Sequence, residues 1–193
     1  MAQVLIRMGD IFEGSAHLTV LPCSAKGTIS SAAARWKQAF GVSTPKELGL
    51  TLQLSGVSQV FPFPGPSSVS RNFCYAASVL NDFSSAEVIE SIGSEIGKIT
   101  VAREDIRIVE SPLLGTGTGG LATDVSGRSL ARGYAKTAHP DAMFYIFVYD
   151  RERFQKLEAT LSEQPGFVRR VWDAVGMRPG MFGLNIDLKK LAR

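Results

Sequence analysis

Short β-branched or aliphatic runs alternate with segments of helical spacing along most of this chain, and that alternation restricts the fold more than any other feature. Val4-Leu5-Ile6 is closed by Gly9-Asp10, and His17 to Leu21 is a second strand-like run, ended by Pro22. Between Ser30 and Phe40, Ala33, Trp36, Lys37 and Phe40 recur at helical spacing, with Thr44-Pro45 closing the segment. Leu50 to Val79 reads as two strands around a stiff turn at Pro62, Pro64, Gly65 and Pro66. Ser84-Ser85-Ala86-Glu87 has the form of a capping box ahead of Val88, Ile89, Ile92 and Ile96, which predicts a helix over residues 85–98. Ile106 to Glu110 is a short strand, a glycine loop covers 115–120, and a helix follows over 124–136. Met143 to Tyr149 is almost wholly apolar, as in a strand covered on both faces, and a last helix spans 152–161. The pattern predicts a three-layer α/β/α domain over residues 1–162, with a mixed, largely parallel central sheet. Ligands of such sheets sit beyond the carboxyl ends of the strands.

Composition agrees and removes several alternatives. A chain of 193 residues, 45% apolar and 20% charged, is long enough for one filled core and unlike a disordered or fibrous protein. Cys23, Cys74, His17 and His139 lack the paired spacings of a zinc site, so no metal and no cofactor is expected. The longest apolar candidate, Ala142 to Tyr149, is far short of the roughly 18 residues of a membrane span. Met1-Ala2-Gln3 does not open a signal peptide, which leads to the expectation of a cytoplasmic protein without membrane contact. The net charge of +3 comes from cations interleaved with acids, a solvated surface rather than a dedicated nucleic-acid face. Residues 163–193 differ in composition. Phe167, Val171, Trp172 and Phe182 are too apolar for a free linker, so this extension is expected to dock on the domain or on a partner. Its Arg169-Arg170 and Lys189-Lys190 pairs are the remaining basis for a nucleic-acid reading.

Chemistry concentrates in Ser111-Pro-Leu-Leu-Gly-Thr-Gly-Thr-Gly-Gly-Leu121. Gly115, Gly117, Gly119 and Gly120, with Thr116 and Thr118 between them, permit φ > 0 and close backbone approach, so successive N–H groups can surround an anion. The following helix start would add its positive end. A P-loop would need Lys followed by Ser or Thr where Leu121-Ala122 stands, and a dinucleotide fingerprint belongs on the first strand-to-helix turn, so neither applies. The same rim should receive Asp10 and Ile11 after the first strand and Cys23, Ser24 and Lys26 after the second. Tyr149 at the end of the last strand is either a ring that stacks on a base or a core aromatic. His17 and His139 lie at the opposite strand ends, which argues against a Ser-His or Cys-His pair. Cys23 reads as a small buried residue unless a neighbour lowers its pKa.

Gly9-Asp10-Ile11, Pro22-Cys23-Ser24, Pro112 to Gly120, and Phe147-Val-Tyr-Asp150 with Phe154, taken in this order, resemble the macro domain, the ADP-ribose-binding α/β/α module. The resemblance covers roughly residues 3–162. It implies that Asp10 meets the adenine amino group with help from the Ile11 backbone, and that amides of 115–120 hold the diphosphate and distal ribose. Tyr149 would sit against the adenosine. It implies as ligand ADP-ribose, a related NAD-derived nucleotide or an ADP-ribosylated macromolecule. Family members that hydrolyse ADP-ribose conjugates commonly carry Asn-Ala-Asn and a glycine run in the first loop, where this chain has Pro22-Cys23-Ser24-Ala25-Lys26-Gly27. Ser24 and Cys23 do not reproduce the donor and acceptor of an amide, so a binding module stands ahead of an ADP-ribosyl hydrolase.

Overall fold

The computed structural model describes residues 2–11, 14–29, 34, 35, 37, 40–64 and 72–162. Six strands form one sheet: β1 (Gln3–Met8), β2 (Leu18–Ser24), β3 (Phe61–Pro62), β4 (Asn72–Val79), β5 (Ile108–Pro112) and β6 (Met143–Val148). Their order is β1-β6-β5-β2-β4-β3, and every neighbouring pair is parallel except β3 with β4. The helices are α1 (Ala86–Ala102), α2 (Thr123–Thr137) and α3 (Arg151–Ser162). Five parallel strands place their carboxyl ends on one edge, and this brings segments distant in sequence to a common rim.

Alternation along the strands fills two cores. Leu18 and Val20 of β2, with Cys74 and Ala76 of β4, face Ile89, Ile92 and Ile96 of α1, Leu130 of α2 and Leu157 of α3. Their neighbours Leu21, Cys23, Phe73, Tyr75 and Ala77 face the other way, onto Val42 and the partly buried Ile29, Phe40, Leu50 and Phe63. Each face of the sheet is therefore covered, which is why β6 can be almost continuously apolar. Truncating one of the fully buried isoleucines of α1 to alanine would cost about 2–5 kcal/mol. Helices α1 and α2 approach closely at Gly133, where a Cβ would lie 1.9 Å from the Glu90 carbonyl oxygen.

Several expectations are corrected in detail. Pro22 does not end the second strand, which runs on to Ser24. Beyond Thr19, β2 pairs only with β4, so a residue there needs a donor toward one side alone and proline is tolerated. Of the two strands expected between Leu50 and Val79, the second is β4, while the first shrinks to the two-residue β3 and an isolated bridge between Val57 and Ala76, in a segment where Pro62 and Pro64 lack the N–H a longer ladder needs. Of the helix expected over 30–40, Ala34, Arg35, Lys37 and Phe40 are helical, and the other positions lie outside the described residues. The predicted strand 106–110 starts later, at Ile108, after a turn in which the Ile106 N–H donates to the Arg103 carbonyl at 3.1 Å. Helix α1 is capped by Ser85, whose hydroxyl accepts from the Val88 N–H at 3.3 Å, so residue N3 is valine and the box lacks its reciprocal half. The reciprocal arrangement occurs instead at Thr44-Pro-Lys-Glu47: the Thr44 N–H donates to Glu47 Oε2 at 2.8 Å, and the Glu47 N–H to Thr44 Oγ1 at 3.3 Å. The extension 163–193 lies outside the described residues. Among the described residues no helix is long and apolar enough to cross a membrane, and no cluster of His, Cys, Asp and Glu could hold a metal ion.

Candidate functional site

The carboxyl edge of the sheet carries a cleft of two joined chambers. The first, about 470 Å³, is lined by residues after β1 (Gly9, Asp10, Ile11) and by the end of β6 with Tyr149, Asp150 and Arg153. The second, about 340 Å³, is lined by Cys23 and Ser24 at the end of β2 with Thr28 beyond them, by Ser78 and Val79 at the end of β4 with Asp82 beyond them, and by residues 115–118 of the glycine loop. Pro112, Leu113 and Thr116 border both chambers, so the loop after β5 forms the saddle between them. An elongated molecule with two bulky ends and a narrow charged waist would fit that outline.

The glycine loop is held by its own main chain. The Leu121 N–H donates to the Gly115 carbonyl and the Gly120 N–H to the Gly117 carbonyl, each at 3.0 Å, while the Ser84 N–H reaches the Gly119 carbonyl at 3.2 Å. Gly115 has φ 72°, the left-handed region that favours glycine, and a Cβ there would lie 2.6 Å from Ser84 Oγ. Gly119 is buried with its Cβ position 2.7 Å from the Gly115 carbonyl oxygen. Gly117 faces open space. The four glycines thus divide the work: two shape the turn, one permits close packing, and one leaves the second chamber unobstructed. The N–H groups of Gly120 and Leu121 serve the loop itself. Among the described residues, those of Thr116, Gly117 and Thr118 donate to no protein acceptor and border the cleft. Consecutive unpaired amides of this kind suit an anion. The start of α2 is set back, since the lining ends at Thr118 and Asp124 in the first helical turn offsets its positive end.

The residues singled out in the sequence separate into three groups. Asp10, Ile11 and Tyr149 meet in the first chamber, and Tyr149 is 82% exposed, which rejects its reading as a core aromatic. Asp10 pairs with Arg35 at 3.8 Å, so a carboxylate acceptor and a guanidinium share that chamber wall. Cys23, Ser24, Gly115, Thr116, Gly117 and Thr118 meet in the second. Lys26, Gly119 and Gly120 line neither: Lys26 is exposed on the turn after β2, Gly119 is packed behind the loop against Ser84 and Val79, and Gly120 is exposed with φ 67°. His17 accepts from the Arg107 N–H at 3.1 Å and His139 follows the end of α2, both at the amino ends of strands and away from the cleft.

Side-chain chemistry in the second chamber is muted. Burial pushes the Cys23 thiol up to about 12, which keeps it protonated and a poor nucleophile. The Ser24 hydroxyl is held by Thr28, 2.5 Å from its Oγ1 and 3.1 Å from its N–H. Sequence reasoning missed Arg35, Arg153 and Asp82 as lining residues. For Asp82 a signal existed: Asn81-Asp82 between a strand and a helix favours a turn with φ > 0, and the two residues have φ 50° and 61°.

This fold is the macrodomain fold. A mutant macrodomain of Oceanobacillus iheyensis superposes with a TM-score of 0.66 at 14% identity, over 81% of this chain and 89% of that one. The macrodomain of Mycobacterium tuberculosis DarG gives 0.62 at 15% identity, over 78% of this chain and 100% of that one. Thermosipho africanus DarTG, solved in complex with ADP-ribose, gives 0.60 at 17% identity, over 76% of this chain and 42% of that one. No family model and no curated protein matches the sequence.

Proposed function

We propose that this protein binds ADP-ribose or a closely related NAD-derived nucleotide, as a reader or sensor acting in the cytoplasm. The observation that carries the reading is the pair of chambers joined at a saddle where Thr116, Gly117 and Thr118 present unpaired amides. A diphosphate on the saddle directs one ribose and its adenine toward Asp10 and Tyr149 and the other ribose toward Ser24 and Asp82. Asp10 can accept from an exocyclic amine, which favours adenine over a base with a carbonyl there. The exposed Tyr149 ring offers a stacking face. The fold of proteins such as Thermosipho DarTG, whose structure contains ADP-ribose, supports the same ligand class.

Titration calorimetry with ADP-ribose, ADP and AMP tests the reading. ADP-ribose binding tighter than ADP, and ADP tighter than AMP, is expected from two occupied chambers and a held diphosphate. No heat at high micromolar ADP-ribose would refute it. A second reading, hydrolysis of an ADP-ribosyl linkage, has one favouring observation: Asp82 is the carboxylate lining the second chamber among the described residues and could take a proton from an attacking water. Release of free ADP-ribose from a modified peptide, abolished in Asp82→Asn, would establish it, and intact conjugate after prolonged incubation would exclude it.

A further inference from the structure

The turn at 80–83 closes β4 and stands at the outer wall of the second chamber. Asp82 lines that chamber and is the charged side chain there among the described lining residues. Among the described residues it forms no ion pair. Phe83, next to it, is 61% exposed, one of three large apolar side chains so placed among the described residues. Leu80 and Phe83 exchange backbone hydrogen bonds of 3.0 and 3.1 Å, so both side chains stand on a closed turn. The Ser84 N–H then ties this turn to the Gly119 carbonyl of the glycine loop. A left-handed conformation at two successive residues with side chains, Asn81 and Asp82, is unusual; Asp82 lines the cleft, and the exposed Phe83 follows it in the turn.

A carboxylate next to an exposed aromatic face is suited to a guanidinium, which can donate two N–H bonds to the carboxylate and lay its plane on the ring. The same pair disfavours a nucleic acid, whose phosphates would meet the Asp82 charge. We infer that the Asp82–Phe83 platform at the second chamber selects ADP-ribose linked to an arginine side chain of a polypeptide. The inference rests on the ADP-ribose reading, with the distal ribose in the second chamber. In that pose the substituted guanidinium leaves the ribose beside Asp82 and keeps N–H donors for its carboxylate. A serine-linked conjugate brings no cation to the platform.

Competition against a fluorescent ADP-ribose probe on the full chain tests this, using a peptide ADP-ribosylated on arginine, a matched peptide ADP-ribosylated on serine, and an ADP-ribosylated DNA oligonucleotide. Mass spectrometry confirms that each conjugate stays intact. The arginine conjugate should bind about tenfold tighter than the serine conjugate at low salt, and the DNA conjugate weakest. Asp82→Asn, which accepts the left-handed backbone, should reduce the arginine-to-serine ratio to about twofold or less. Phe83→Leu should reduce it partway. Equal affinities, a DNA conjugate that binds tightest, or a ratio unchanged in Asp82→Asn would overturn the inference while leaving ADP-ribose binding intact. A probe that fails to bind at all would overturn both.

Discussion

Gly119→Ala and Gly117→Ala, two residues apart in one loop, should have opposite consequences. At Gly119 the new methyl would lie 2.7 Å from the Gly115 carbonyl oxygen, 2.8 Å from Ser84 Cβ and 3.0 Å from Val79 Cγ2. The carbonyl cannot yield cheaply, because it accepts the 3.0 Å bond from the Leu121 N–H that closes the loop. Overpacking against backbone in a buried position costs about 1–3 kcal/mol. At about 2–4 °C per kcal/mol for a domain of this size, Gly119→Ala should lower Tm by roughly 2–12 °C. At Gly117 a Cβ meets nothing within 4 Å and φ is not left-handed, so Gly117→Ala should stay within about 0.5 kcal/mol of the parent. Gly117 lines the second chamber, however, so an added methyl should weaken ADP-ribose binding about tenfold or more by holding the diphosphate off the loop amides. Differential scanning calorimetry and ligand titration on both variants separate the two effects. A Gly117→Ala variant that melts as early as Gly119→Ala, or a Gly119→Ala variant that melts with the parent, would refute the assignment of support to one glycine and access to the other.

Gly133→Ala should destabilise the domain by about 1–3 kcal/mol despite the gain in helix propensity, since its methyl would meet the Glu90 carbonyl at 1.9 Å and force α1 from α2. Urea denaturation measures it, and a variant at least as stable as the parent would show that the helices are not in such contact. Burial pushes Cys23 to about 12, and burial together with Cys23 pushes Cys74 to about 12, so native protein should resist iodoacetamide at pH 8 and label in urea. Rapid native labelling of either thiol would contradict this. The hydrogen bond from Lys37, with that from the Thr44 N–H, lowers the Glu47 carboxyl from 4.5 to about 2. Because the folded value is the lower one, its contribution is present above about 4.5 and is lost as pH falls toward about 2. An NMR titration of Glu47 with a midpoint at the ordinary value would show the pair to be absent in solution.

Element order was legible because it depends on patterns that survive in one dimension. Ile89, Ile92 and Ile96 keep helical spacing, and Met143 to Val148 is apolar throughout because both faces of the sheet are covered. What local pattern misjudged depended on a neighbour. Pro22 reads as a strand terminator until β5 is seen to part from β2 beyond Thr19. The glycine loop was visible as composition, whereas what separates Gly115 and Gly119 from Gly117 is Ser84, distant in sequence, which would meet a Cβ at the first two and not at the third. Asp10, Tyr149 and Cys23 could be placed on the rim because each follows or closes a parallel strand. Arg35, Arg153 and Asp82 reach the cleft from the chain between strands or from a helix, where no periodicity marks direction.

If main-chain amides at the saddle of the cleft hold the diphosphate of ADP-ribose, backbone amide resonances of labelled protein should report it during an ADP-ribose titration. Saturable downfield shifts are expected at Thr116, Gly117 and Thr118, in step with changes at Asp10 and Tyr149 in one chamber and at Ser24 and Asp82 in the other. Unmoved loop amides at saturating ADP-ribose, or shifts confined to surfaces away from the cleft, would contradict it.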